Sequence, residues 1–380
     1  MLLIVAAVAI AYRPTERVEP ESFREQPLSV EATGEAFSVL SGDDLRVLVE
    51  RVRPSWERPR VAALIHCLRL WGPGVEISLR PQPGSQSLTR LLCDDNAFQA
   101  AFGPGSPFLM WQRDGMATRQ ALDARAAAHV DDLLAAAAEA DLPLSTPIFA
   151  GGRAGTLRDL LRGAIARFEI DQELEFTAVA LAAYLPPVKS WTNRRGETFT
   201  FDDVARKLLE PVTPKQACYG THVPYALAFL FQIDGLFGIG EIEPILDPAT
   251  RRDVVARLRR LSRELEESQD EAGSWAPRQV RPDWLDDDRE LTAFRVTGHH
   301  IEWIALAPSE ARPSRDSVER AARWLYKAVL AQPAAYAYFG TGYNDNTHAA
   351  RALLLLHHRT AAEFCQRTSE VRRSPERAMP

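Results

Sequence analysis

From residue 40 onward, apolar side chains recur at helical spacing in two distinct patterns. Behind Asp247, the residues Val254, Leu258, Leu261 and Leu265 stand three or four apart among arginines and glutamates, which predicts a helix with one buried face. The stretch after Ser314 is built the same way, with Val318, Ala322, Leu325 and Val329 lining one side and Arg320, Arg323 and Lys327 left for water. Residues 177–185, 225–231, 301–307 and 349–356 are instead apolar almost all round, so helices there must be covered on most sides. Alternation of the two patterns predicts an outer layer facing water and an inner layer packed on both flanks.

Start signals agree with the helical reading. Ser41 with Asp44, and Thr156 with Asp159, have the capping-box pattern, in which a hydroxyl and a carboxylate satisfy amides that a first helical turn leaves unpaired. Asp247-Pro248 is another start, because the missing N–H of proline does no harm at the first helical position. Strand signals are confined to 75–79 and to 198–201, the latter after the Asn193-Arg194-Arg195-Gly196 turn, with no strand-helix-strand alternation. The expected fold is all-α, an α/α toroid of about six helical hairpins with minor short β-hairpins, over residues 41–358.

Composition adds boundaries. The 380 residues carry a formal net charge of -6 with both signs interspersed, which gives no field to attract nucleic acid. Cys67, Cys93, Cys218 and Cys365 are too few and too scattered for a disulfide framework, and none forms a Cys-x-x-Cys pair. Residues 1–12 hold no charge and read as the remnant of a signal or membrane anchor, which would place the protein in the cell envelope; a buried first element in a cytoplasmic protein is the alternative. Residues 13–40 read as a linker, and 359–380 as a basic, disordered tail.

The candidate chemistry lies in three related stretches. His222 precedes Tyr225, His299 precedes Glu302, and His348 precedes Arg351, each by three residues and each at what reads as the start of an inner helix. The last two histidines are 49 residues apart, close to the length of one helical-hairpin repeat, and His66 and His129 fall at looser but similar intervals. Such starts would deliver their imidazoles to one central pocket, where helix dipoles favour anions and polar groups.

Gln269-Asp270-Glu271-Ala272-Gly273-Ser274-Trp275 fits a Q-x-x-x-G-x-W motif and closes the helix that begins at Asp247. On this motif the chain resembles the terpenoid cyclase and protein prenyltransferase superfamily, and its Gly-Thr-His and Thr-Gly-His-x-x-Glu-Trp stretches resemble bacterial members of it. The resemblance spans 215–356 and, less specifically, 45–214. It implies an α/α toroid in which the glutamine caps carbonyls and the tryptophan packs over the turn, a structural role without chemistry. Asp286-Asp287-Asp288 departs from the Asp-x-Asp-Asp acid of the protonating cyclases and reads as a solvated loop, and no segment reproduces the Asp-x-Cys zinc element of the prenyltransferases.

The site expected from these readings has His222, His299, His348, Tyr225, Glu302 and Asp345 as catalytic groups, with Arg351, Asn344 and Trp303 contacting a ligand. Cys218 and His222 are four apart, so a helix beginning at or before Cys218 would present both on one face; with a third ligand from His299, His300 or His348, of which His299 is the one chosen, they make a candidate zinc site. The competing reading of the same residues is a packed cysteine among hydrogen-bonded histidines. Glycosidase chemistry would need a second carboxylate opposite Glu302, and none is evident. The expected ligand is a small molecule, lipid, isoprenoid or glycan, with membrane association through the N-terminus; the alternative is a non-catalytic envelope scaffold or binding protein.

Overall fold

The computed structural model of the chain describes residues 23–54, 60–78, 85–121, 123–211, 217–237, 243–275, 289–332 and 341–364. It is all-α with short two-stranded antiparallel hairpins. The helices are α1 (Gly42–Arg51), α2 (Val61–Trp71), α3 (Leu88–Cys93), α4 (Asp95–Phe102), α5 (Asp132–Glu139), α6 (Leu157–Arg167) and α7 (Glu175–Tyr184). They continue with α8 (Phe201–Leu208), α9 (His222–Phe237), α10 (Pro248–Ser268), α11 (Arg289–Leu306), α12 (Arg315–Ala331) and α13 (Thr341–Leu356).

Six helices pack in a closed cycle: α2 on α5, α5 on α7, α7 on α9, α9 on α11, α11 on α13, and α13 back on α2. These include all four segments that the sequence marks as apolar all round, and every residue of α7 is buried. The one-faced helices lie outside, with α8 and α10 against α9, α12 against α11 and α13, and α1 against α12 and α13. Three inner helices reach their outer partner through a hairpin. The strands β1 (Glu76–Ser78) and β2 (Ser85–Ser87) link α2 to α3, β5 (Pro147–Ala150) and β6 (Arg153–Thr156) link α5 to α6, and β7 (Ser190–Thr192) and β8 (Thr198–Thr200) link α7 to α8. Between α4 and α5, β3 (Leu109–Gln112) pairs with β4 (Gly115–Thr118) and lies against α6. Only glycine fits at 163 there, because a Cβ would stand 1.9 Å from the Met116 carbonyl oxygen.

The capping boxes at Ser41/Asp44 and Thr156/Asp159 form as the sequence predicts, as does the Asp247 cap; Thr200/Asp203 adds a further box. The Q-x-x-x-G-x-W segment ends α10 and ties it to α12. Gln269 donates to the carbonyls of Gly273 (2.9 Å) and Ser317 (2.8 Å) and accepts from the Ser317 hydroxyl and Arg320. Trp275 is fully buried, its backbone amide bonded to Thr297.

Two expected boundaries change. Residues 23–40 are not a linker: Phe23 and Phe37 are buried, and the stretch runs as a strap across the C-terminal ends of inner helices. Leu28 donates its amide to Ala183 O of α7, Thr33 to Ala305 O of α11, and Phe37 to Leu356 O of α13, each at 2.9 Å. The physical reason is that the last carbonyls of a helix have no partner within it, and an extended strand of chain brings amides to several in succession. At the other terminus, Ala361 and Phe364 are buried, so the packed body runs beyond 358. The apolar residues 1–12, the tail beyond 364, and Asp286 to Asp288 lie outside the described residues.

Candidate functional site: a buried histidine centre

Five imidazoles from five separate parts of the chain converge between the inner helices. The ring centroids of His299 and His348 are 3.8 Å apart, of His222 and His299 4.8 Å, of His222 and His348 5.6 Å, of His66 and His348 4.8 Å, and of His129 and His222 5.4 Å. His66 comes from α2, His129 from the turn before α5, His222 from α9, His299 from α11 and His348 from α13. The sixth inner helix, α7, contributes Phe176, which stacks on His129 with centroids 4.9 Å apart.

The three-residue offset read in the sequence organises this centre. One helical turn beyond the imidazoles lies a second, charged layer in which Arg351 is central. Arg351 Nη1 donates to Glu302 Oε1 at 2.9 Å, while Nη2 donates to Glu139 Oε1 at 2.6 Å and to the Tyr225 hydroxyl at 2.8 Å. Tyr225 in turn donates to Glu139, and Arg69 binds both oxygens of Glu139 at 2.7 and 3.2 Å. Two guanidinium groups and two carboxylates thus balance in charge, which an interior ion cluster requires. His66 and Arg69 repeat the same offset on α2.

The layers are joined by His348, whose Nδ1 lies 2.7 Å from Glu302 Oε2 and whose Nε2 lies 3.0 Å from His66 Nε2. His66 Nδ1 meets the Ala62 carbonyl at 2.8 Å, and His299 Nδ1 meets the Arg295 carbonyl at 2.7 Å. Since a carbonyl oxygen only accepts, both Nδ1 atoms carry the proton. His129 differs from the rest: it retains some exposure, and its Nδ1 is 2.7 Å from Glu173 Oε1.

Electrostatics separate the rings in the same way. Burial lowers His66 to about 3 and holds His222, His299 and His348 below the ordinary histidine value, so desolvation favours neutral rings. Burial opposes the protonation of His129, yet its value is raised, because Glu173, with Asp132 and Glu175, overcomes that effect. Burial pushes the Cys218 thiol up to about 12, with nearby Asp345 acting in the same direction. Glu139 is lowered: burial opposes its ionisation, and Arg69 and Arg351 overcome it.

Of the residues expected from sequence, His222, His299, His348, Tyr225, Glu302 and Arg351 meet in these two layers. Asp345 is nearby but is held by Arg295 through both oxygens at 2.9 and 3.2 Å. Trp303 is fully buried and donates its indole N–H to His300 Nδ1 at 2.9 Å, a core role in place of the expected ligand contact. Asn344 keeps a buried Oδ1 with no hydrogen-bond partner among the described residues.

Two positional expectations are corrected. His299 and His348 stand in the middle of α11 and α13 rather than at their starts, so the imidazole layer lies within the bundle and only His222 is at a helix N-terminus. Nor does α9 begin at or before Cys218. Cys218 and Tyr219 have φ of 46° and 59°, followed by Gly220 at 74°, and this left-handed turn brings Cys218 close to His222 and His299. Arg69, Glu139, Glu173 and Arg295 were not among the expected site residues. The His-x-x-Arg spacing on α2 could have revealed Arg69; Glu139, at the end of an alanine run, carries no comparable signal. Comparison of the chain with protein-family models, with curated proteins and with solved structures gave no match.

Proposed function

We propose that this protein is an enzyme of α/α-toroid form that performs proton-transfer chemistry on a polar ligand at the histidine centre. The observation that carries the reading is the convergence of imidazoles from five chain segments, two of them, His129 and His348, bonded to a carboxylate. A carboxylate beside an imidazole fixes its tautomer; Glu173 also raises His129, while burial keeps His348 neutral and so able to accept a proton. In the two dyads His129 and His348 are the proton carriers, and Glu173 and Glu302 the positioning groups.

The charged layer bears on the ligand class. An isoprenoid chain needs apolar, aromatic walls, whereas Arg69, Arg351, Glu139, Glu302 and Tyr225 make the floor of this centre polar. Glu139 is the second carboxylate that the sequence did not reveal, yet both it and Glu302 are tied to Arg351. Imidazole-mediated lyase or hydrolase chemistry on a glycan or other polar metabolite is therefore favoured over a paired-carboxylate glycosidase.

The test is a thermal-shift screen with neutral and acidic oligosaccharides, isoprenoid diphosphates and small carboxylates, followed by turnover assays on whatever binds. His129→Gln and His348→Gln are expected to reduce turnover by roughly 100-fold or more while leaving ligand-induced stabilisation largely intact. Stabilisation only by isoprenoid diphosphates would overturn the polar-ligand reading, and binding without turnover of any ligand would favour a non-catalytic scaffold.

A further inference from the structure

The left-handed turn before α9 gathers three metal-ligating side chains. Two successive non-glycine residues with positive φ are uncommon, and such backbone is retained only where surrounding contacts enforce it. Here Thr221 holds the turn by donating its hydroxyl to Cys218 O at 2.7 Å and its amide to the same oxygen at 3.2 Å. The turn sets the Cys218 thiol, one ring nitrogen of His222 and one of His299 within 4.8 Å of one another.

Those two rings also have nitrogens that nothing among the described residues uses. His222 Nε2 and His299 Nε2 are both buried and have no hydrogen-bond partner among the described residues, and the two residues are only 5% and 2% exposed. Because the Nδ1 proton of His299 goes to the Arg295 carbonyl, its Nε2 has a lone pair directed into the interior. A buried acceptor without a donor is costly, and natural structures keep few of them. The Nδ1–H bond of His299 to the Arg295 main-chain carbonyl, at 2.7 Å, is the outer support characteristic of an imidazole ligand.

We infer that Cys218, His222 and His299 bind a transition-metal ion, with zinc the ion best suited to one thiolate and two imidazoles. Three protein ligands leave a fourth position for water or substrate, the arrangement of catalytic rather than structural zinc. Harder cations prefer carboxylate and carbonyl oxygens, which this donor set lacks. This inference deepens the proposed active centre and rests on that reading for the metal's role, whereas binding itself is measurable without any substrate.

The direct test is metal content of the full chain, followed by chelator stripping and titration with Zn(II) against a chromophoric competitor. About one zinc per chain is expected, and Co(II) should bind with a sulfur-to-metal charge-transfer band and the intense visible bands of tetrahedral coordination. Cys218→Ser should abolish the charge-transfer band, and His299→Gln should weaken zinc binding by roughly 100-fold or more. His300→Gln, altering a buried histidine bonded to Trp303, should leave zinc binding unchanged. Wild-type chain that retains no zinc and gives no tetrahedral cobalt spectrum overturns the inference, as does a Cys218→Ser spectrum identical to wild type. Wild-type metal content needs no variant to fold, and a negative result leaves the turnover tests of His129 and His348 to judge the active-centre reading separately.

Discussion

His66 and His348 meet nitrogen to nitrogen, Nε2 to Nε2 at 3.0 Å, in the interior of the bundle. One of those atoms must donate and the other accept. Beyond them, His66 Nδ1 faces a carbonyl and His348 Nδ1 faces the Glu302 carboxyl group, so three hydrogen bonds run between groups that mainly accept. The unit therefore carries one proton more than two neutral rings and an ionised carboxylate.

A shared proton of this kind should give a far-downfield imidazole N–H resonance that disappears in both His66→Asn and His348→Gln. Loss of the partner also leaves a buried nitrogen unsatisfied, with an expected cost of about 1–3 kcal/mol in urea unfolding. Unchanged stability and an unchanged proton spectrum would show that the two rings are not bonded.

The ion layer predicts a larger effect. Glu139→Gln removes the charge that faces both Arg69 and Arg351, and breaking a buried pair from one side costs about 3–5 kcal/mol. Tyr225→Phe removes one hydroxyl between Arg351 and Glu139 and should cost less, about 1–2 kcal/mol. Urea midpoints of the two variants in that order support the layer; equal, negligible losses would contradict it.

Stability should fall on acidification sooner than carboxylates alone would cause. Burial holds His66 at about 3 and keeps His222 and His299 below 6.5, the value such rings have when exposed. Between those limits the unfolded chain binds more protons, so the stabilisation is fully present above 6.5 and is lost as pH decreases. The limiting slope is about 1.4 kcal/mol per pH unit for each ring. Glu139, lowered below 4.5, adds a further loss in more acidic solution. His129, raised by Glu173, acts oppositely, its contribution present below 6.5 and lost as pH rises through its higher folded value. Urea midpoints measured with chelator present, between about pH 8 and about pH 5, should show the decline; a flat profile would contradict the burial of the rings.

The strap and the Gln269 junction give two structural tests away from the centre. Leu28→Pro deletes the amide bonded to Ala183 O, and Gln269→Ala deletes bonds to Gly273 and Ser317. Each should destabilise by about 1–3 kcal/mol while leaving metal content unchanged. Gly273→Ala should cost at least as much, since its φ is 105° and a Cβ would stand 2.7 Å from the Arg320 carbonyl oxygen.

The pattern of inner and outer helices was legible because burial leaves a local trace: 225–231 and 349–356 are apolar on every side, while α10 and α12 are not. The histidine centre was legible for a related reason. Residues three apart share a helix face, so His222/Tyr225, His299/Glu302 and His348/Arg351 could be paired without knowing where the helices begin. Their depth was not, because a histidine near the middle of a helix looks the same in sequence as one at its start. Cys218 came to its neighbours through a left-handed turn that its side chain does not favour, and tertiary contact determines that conformation. Glu139 and the strap depend on segments far apart in the chain, for which single residues give no periodic signal.

The most direct test of the account is the pH titration of the imidazole nitrogens of the intact protein by long-range nitrogen–proton NMR, with all eight histidines assigned. Rings gathered in one desolvated centre should leave His66, His222 and His299 neutral below pH 6.5, His66 down to about 3, with His129 titrating above 6.5. Were all these rings instead to titrate together near 6.5, each would be in water, and the convergence on which the site rests would be disproved.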